Sequence, residues 1–251
     1  MITILSIVIG IVSGMFSGFI GGGAGLIAVP FLMFIGVPPY SAVTTPKFGA
    51  FGIALGSLTK FSKTNYIQWK LIPWFLIVAV LAAVTGANLL LKTPEYILKY
   101  IVGVLLLITA VTLYTNKSLG IISTVTSKVK KAFGFICYFL TEGLRAAFGS
   151  GFGTITSLVL MYFFGMTMLE SSATKRLAGV VVTFIAFLVF VQKGLIDFRA
   201  GIGLFIGMII GGYLGTKWAI KVGDKWLKYI FTAFAIIASI LLFSGVDVLL
   251  L

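Results

Sequence analysis

Ten apolar runs separated by short polar loops dominate this chain and restrict it to a membrane. The longest runs have about 20 residues, the length that an α-helix needs to cross the hydrocarbon core of a bilayer. Of the 251 residues, 60% are hydrophobic and 10% are charged, which is too little polar surface for a water-soluble globule. A transmembrane β-barrel would instead show strands of about 10 alternating residues. The sequence therefore predicts an all-α polytopic membrane protein. The runs fall at residues 2–20, 25–36, 46–61, 67–91, 95–115, 133–148, 153–165, 175–191, 198–219 and 226–244.

The runs form two sets of five that resemble each other. Residues brought into register by an offset of 129 include Thr45 with Thr174, Lys47 with Arg176, and Gly86 with Gly215. In both sets the second run has only 12–13 residues, too short for a hydrocarbon layer of about 30 Å. We therefore predict two repeats of about five helical segments, each with a short or broken second segment. The first repeat covers 1–115, a basic linker covers 116–134, and the second repeat covers 135–251.

The charges of the loops orient the two repeats, because cytoplasmic loops are enriched in lysine and arginine. The loops at 60–70 and 217–228 each carry +3 and the linker carries +4, whereas 92–99 and 193–199 each carry +1. The positive loops and the linker are predicted to be cytoplasmic. Equivalent loops then face opposite sides, so the repeats are inverted and both termini lie outside the plasma membrane. Each short second segment either completes a crossing as irregular chain or turns back as a re-entrant hairpin.

Composition also excludes several functions. The net charge of +13 comes from residues in short loops, where it sets topology rather than binding nucleic acid. The chain has no histidine and a single cysteine, Cys137, and it shows no cluster of metal ligands and no nucleophile–base pair. We therefore expect neither an enzyme nor a protein that needs a cofactor or metal.

Glycine clusters mark the start of the short second segment in both halves. The first cluster, GGGAG, contains Gly22, Gly23 and Gly25, and the second, GSGFG, contains Ser150, Gly151 and Gly153. A glycine-rich break before a helix exposes backbone N–H groups at the positive end of the helix dipole. Broken helices of transporters bind anions in this way. The alternative is that the glycines only permit a tight turn.

A threonine followed by a basic residue recurs at the next segment of each half. Thr45 is a good N-cap and Pro46 is favoured at the first helical position, so a helix is predicted to start there. Lys47 then lies in a first turn, where the helix dipole disfavours a cation. Thr174 and Arg176 are the counterparts in the second half. The pattern indicates an anion shared by these groups, unless the two basic side chains only reach for lipid headgroups.

Glu142 and Arg145 lie inside an apolar run of the second half. Ionisable groups within a span are costly and usually face a partner or a cavity. At a spacing of three residues on a helix the two side chains can pair. The carboxyl is therefore either a carrier of protons during transport or half of a structural ion pair.

The pattern GxxSGxxGGGAGLIxVPxL, followed by a T-x-K step and a degenerate second copy, resembles the sulfite exporter family TauE/SafE, also called TSUP permeases. The resemblance spans nearly the whole chain. It implies a duplicated helical unit that moves small organosulfur anions such as sulfite or sulfonates, coupled to protons. It also implies that the glycine clusters, the two threonines and the two basic residues after them form the substrate site. The step Glu142-Gly143 is similar to an acid–glycine pair in some members.

The sequence thus predicts a secondary transporter, an exporter of small anions whose partners are its substrate, protons and the bilayer. One alternative is a passive anion channel or facilitator, which would need no titratable carrier. Another is a transporter of small carboxylates. Dependence of the flux on a proton gradient separates the first alternative from the transporter.

Overall fold

The computed structural model describes residues 2–90, 104, 107–148 and 153–243 of the chain. These residues form helices and connecting turns, with no strand among them. The helices are α1 (Ile2–Ile20), α2 (Ala24–Phe34), α3 (Pro39–Thr44), α4 (Pro46–Phe61), α5 (Ile72–Leu90, after a 3₁₀ turn at Trp69–Leu71), α6 (107–115), α7 (Lys128–Phe148), α8 (Gly153–Phe164), α9 (Met168–Gln192) and α10 (Phe198–Phe243).

Four of the described helical segments are long and apolar enough to cross a membrane. They are Ile2–Ile20, Trp69–Gly86, Met168–Gln192 and Phe198–Ile237. Large apolar side chains such as Phe34, Tyr114 and Trp226 are exposed on the outer surface, as a surface that faces lipid requires. The predicted all-α membrane protein is confirmed.

The two short second segments fold back along the helices that precede them. Helix α2 has 11 residues and α8 has 12, as the short runs predict. The rings of Phe135, in the second turn of α7, and Phe164, the last residue of α8, are 5.0 Å apart between centroids. In the first half, Ile9 of α1 and Leu32 of α2 belong to one buried hydrophobic cluster. Each short helix therefore runs antiparallel to the helix before it.

Several boundaries differ from those predicted. Helix α9 begins at Met168 rather than 175, because Thr167 and Glu170 form a capping box that stabilises an earlier start. Helix α7 begins at Lys128, so residues 128–134 of the predicted linker are helical. The two predicted runs at 198–219 and 226–244 form one helix, α10, broken at Gly223, whose φ is 80°. Helix α3 was not predicted.

The contacts between helices repeat in the two halves: a contact between two helices has a counterpart between the equivalent helices. Helix α1 packs on α10 and α7 on α5, and likewise α4 packs on α10 and α9 on α5. Single residues repeat the pattern: Gly86 lies against the backbone of Gly143, and Gly215 lies against the backbone at Met15. At an offset of 129, Gly86 corresponds to Gly215, and Gly143 corresponds to Gly14, which precedes Met15 in the sequence. A duplicated unit would give this pairing.

Glycines on α1 and α10 form the seam between those two helices. A Cβ added to Gly14 would lie 2.9 Å from Met208 Cα, and one added to Gly211 would lie 2.6 Å from Met15 N. Every four residues, one helix thus meets the backbone of the other. These glycines are therefore packing faces that let the two backbones approach closely.

Candidate anion-binding site at the two helix breaks

The two glycine breaks meet inside the protein. In the first half, Gly21 and Gly23 have φ values of 88° and 85°, a left-handed conformation that glycine adopts without strain. They turn the chain from α1 into α2. A Cβ added to Gly153, the first residue of α8, would lie 3.6 Å from both Gly21 O and Gly22 Cα. The tip of each hairpin therefore touches the tip of the other.

The predicted glycine residues divide into three groups. Gly22, Gly23 and Gly153 are buried at this junction, so the structure brings them together. Gly25 is the second residue of α2. Ser150 and Gly151 lie outside the described residues.

The side chains of the two predicted basic residues, Lys47 and Arg176, each form hydrogen bonds with the opposite half. Lys47 Nζ on α4 donates to Arg145 O at 3.2 Å and to Ala146 O at 3.1 Å, in the last turn of α7. Arg176 on α9 donates to Ser17 O in the last turn of α1. Ser17 and Ala146 are equivalent positions at an offset of 129. A cation at a helix C-terminus is favoured by the dipole, so each cation fastens its own half to the helix that leads into the opposite break.

The two predicted threonines are fully buried and are also bonded across the halves. Thr45 Oγ1 accepts the N–H of Asp197 at 3.1 Å, and Thr174 Oγ1 accepts the N–H of Gln68 at 3.1 Å. Positions 68 and 197 are equivalent at the offset of 129. The predicted helix start is confirmed, since Thr45 is the N-cap of α4 and Pro46 its first residue, but the Thr45 side chain makes no capping hydrogen bond. The hydroxyl is engaged with the loop of the other half instead.

Glu142 and Arg145 form the predicted ion pair. Arg145 Nε donates to Glu142 Oε2 at 2.9 Å, and its Nη2 contacts the same oxygen. Thr156 Oγ1 on α8 donates to Glu142 Oε1 at 3.1 Å. The carboxylate is fully buried, and the guanidinium lies over Gly179 of α9, where an added Cβ would be 2.6 Å from Nη1. The pair therefore joins α7, α8 and α9 beside the breaks.

The charges around the breaks do not balance. Four basic side chains of the described structure lie there, namely Lys47, Arg145, Lys175 and Arg176, with the carboxylate of Glu142 as the one acidic group beside them. Within the described part of the chain, Arg145 alone of the four has a carboxylate within 4.0 Å. Lys47 and Lys175 are 9% and 3% exposed. Because buried charge without a partner is costly, a bound anion would stabilise this cluster.

Two further residues at the junction were not predicted. Lys175 Nζ donates to Gly153 O at 2.6 Å and to Ser157 Oγ. Ser172 Oγ, on a residue that is 3% exposed, lies against Gly21. The adjacent basic pair at 175–176 was a usable signal, but the repeat alignment pairs only Arg176 with Lys47. Nothing in the sequence pointed to Ser172.

The comparisons with known proteins agree with this architecture. The model of the family described as Sulfite exporter TauE/SafE matches residues 6–242. A probable membrane transporter protein of Haemophilus influenzae is 26% identical over 83% of this chain and 82% of its own. The probable membrane transporter proteins ORF9 of Sinorhizobium sp. and YfcA of Escherichia coli are 25% and 21% identical over 86% and 85% of this chain, and 84% and 81% of their own. No solved structure matches. Because the family model covers nearly the whole sequence, this chain belongs to the TauE/SafE family.

Proposed function

We propose that the protein is a secondary transporter that exports small organosulfur anions such as sulfite or sulfonates. The observation that carries the proposal is the excess of basic side chains at the junction of the two breaks: among the described residues, two buried lysines and two half-buried arginines face one carboxylate. The curated relatives are named probable membrane transporter proteins, and the family description names sulfite export. A small anion at the junction would neutralise part of this charge.

The way the halves are joined supports alternating access. Each hairpin tip is held by a cation from the opposite half, Lys47 at the end of α7 and Arg176 at the end of α1. A movement of one half against the other therefore acts on both tips. With the repeats inverted, one tip is approached from the cytoplasm and the other from outside, as in other transporters built from inverted repeats.

Coupling to protons is assigned to Glu142. Its carboxylate shares Arg145 with any anion that enters the cluster. When an anion takes over Arg145, Glu142 loses its partner, and a proton bound to the carboxyl replaces the lost positive charge. The anion then binds more tightly to the protonated protein, which is the difference in affinity that coupling requires.

Transport of sulfite in proteoliposomes tests this function. We expect a pH gradient to drive wild-type protein to accumulate sulfite against its concentration. Glu142→Gln should lose that accumulation and keep the exchange of sulfite for sulfite, because the anion site remains. If the variant still accumulates sulfite from a pH gradient, Glu142 is only a structural partner of Arg145.

The wild-type protein separates the alternatives in the same assay. Sulfite flux that is indifferent to the pH gradient indicates a passive channel or facilitator. If small carboxylates compete with sulfite and sulfonates do not, the substrates are carboxylates. Absence of flux for all of these anions contradicts the proposed function.

The inverted orientation is tested by labelling single cysteines in a Cys137→Ser background. Cysteines at Lys63 and Lys225 should react only with a reagent on the cytoplasmic side, and cysteines at Glu95 and Gln192 only with a reagent outside. The reason is the charge bias of the loops that carry them. Labelling of positions 63 and 192 from the same side would exclude inverted repeats.

A further inference from the structure

We infer that Lys175 and Ser172 of α9 bind the anion directly. Because the first half has no equivalent donors, the two breaks then differ in how they bind the anion. This inference rests on the proposed function, since it assigns ligands to that same site. It also separates these two residues from Lys47 and Arg176, whose described hydrogen bonds join the halves.

Lys175 is a buried lysine whose hydrogen-bond partners are neutral. Its Nζ donates to Gly153 O at 2.6 Å and to Ser157 Oγ. Gly153 O also accepts the hydroxyl of Ser157 at 3.3 Å, so this carbonyl is shared among donors. The charged groups that act on Lys175 are two cations, Arg176 and Arg145, and the carboxylate of Glu142. An anion is a better partner for an ammonium than a shared carbonyl.

Ser172 supplies a second donor at the same place. Its hydroxyl is buried and has no hydrogen-bond partner among the described residues. A buried hydroxyl normally has one, so the orphan points to a ligand. A Cβ added to Gly21 would collide with Ser172 Oγ and would lie 3.3 Å from Lys175 Nζ. Both donors therefore lie against the break that opens into the N-terminus of α2.

The repeat shows that this arrangement occurs once. At the offset of 129, Lys175 corresponds to Pro46 and Ser172 to Val43, so the first half has neither donor. Arg176 corresponds to Lys47, and both cations bond to equivalent helix ends. Joining the halves requires a cation in each half, as Lys47 and Arg176 provide. Binding a single anion requires its ligands only once, as Lys175 and Ser172 provide. The site at the first break thus has a lysine Nζ and a serine hydroxyl, two donors that suit a small oxyanion.

Sulfite titrations of purified protein, followed by the melting temperature, test the assignment. Lys175→Gln should weaken sulfite binding about tenfold or more, and Ser172→Ala about threefold or more, because each loses a hydrogen bond to a charged ligand. Lys228→Gln is the matched control. Lys228 is also a buried lysine, 4% exposed, that donates to two carbonyls, Asn116 O and Lys117 O. Its variant should bind sulfite like the wild type.

The outcomes distinguish this inference from the proposed function. If wild type binds sulfite and both variants match it, Lys175 and Ser172 are structural and the inference fails alone. If wild type binds neither sulfite nor a sulfonate such as ethanesulfonate, the proposed function fails with it. Should Lys175→Gln not fold, Ser172→Ala decides, because it removes one hydroxyl that makes no hydrogen bond in the described structure. Weaker binding in Lys228→Gln as well would also overturn the assignment.

Discussion

Replacement of Glu142 by glutamine is expected to lower the melting temperature of the anion-free protein. The melting temperature of the variant should then rise strongly when an anion is added. In the described structure Glu142 is the one carboxylate that bonds to any of the four basic residues at the breaks, and its partner is Arg145. Removing one partner of a buried ion pair costs about 3–5 kcal/mol. Glutamine keeps the shape of the side chain and an oxygen for Thr156, so the loss comes from charge. Sulfite should then restore more stability to the variant than to wild type, since it supplies the missing negative charge.

Thermal unfolding in detergent, with sulfite added against a background of gluconate, measures this effect. Glu170→Gln serves as the control. Glu170 accepts the N–H of Thr167 and the side chain of Gln68 at 2.9 and 2.8 Å, so it is also bonded, but it lies outside the cation cluster. Its variant should show no extra dependence on sulfite. If Glu142→Gln melts like wild type without anion, the excess of positive charge at the breaks does not destabilise the empty protein.

Local features of the chain carried most of the correct predictions. The helical class follows from the length and composition of the apolar runs, which depend on no distant contact. The ion pair of Glu142 and Arg145 follows from a spacing of three residues on one helix. The short second segments follow from counting residues between the glycine breaks and Gly36 or Gly165, both with positive φ.

Contacts between distant residues could not be predicted. The bonds of Thr45 to Asp197 and of Thr174 to Gln68 join positions more than 100 residues apart, and no local pattern encodes them. The contact between the two breaks is of the same kind. The start of α9 is different, because Thr167 and Glu170 have the spacing of a capping box. The polar stretch 170–176 concealed the boundary, because it separates the start of the helix from its apolar part.

A second large effect is expected for Gly86→Ala, at a backbone contact between α5 and α7. A Cβ at Gly86 would lie 2.7 Å from both the carbonyl carbon and the Cα of Gly143, and its closest contact is the carbonyl oxygen. These are backbone atoms, so no side chain can rotate away and the helices must separate. We expect a loss of about 3 kcal/mol in the free energy of unfolding, at the upper end of the usual cost of overpacking. Thermal unfolding and the yield of folded protein measure it.

Gly143→Ala is a matched control at the same contact. A Cβ there would lie 3.4 Å from Ala82 O and 3.9 Å from Gly86 Cα, which are ordinary contacts, so its stability should equal that of wild type or exceed it by up to about 1 kcal/mol. Both substitutions gain the same helix propensity, about 1 kcal/mol, so the difference between them reports the contact alone. Gly215→Ala should behave like Gly86→Ala, because its Cβ would lie 2.8 Å from Met15 C and 2.9 Å from Phe19 N. If Gly86→Ala and Gly215→Ala are tolerated as well as Gly143→Ala, the helices do not approach this closely at the two equivalent positions, and the pairing of the halves is not set by their glycines.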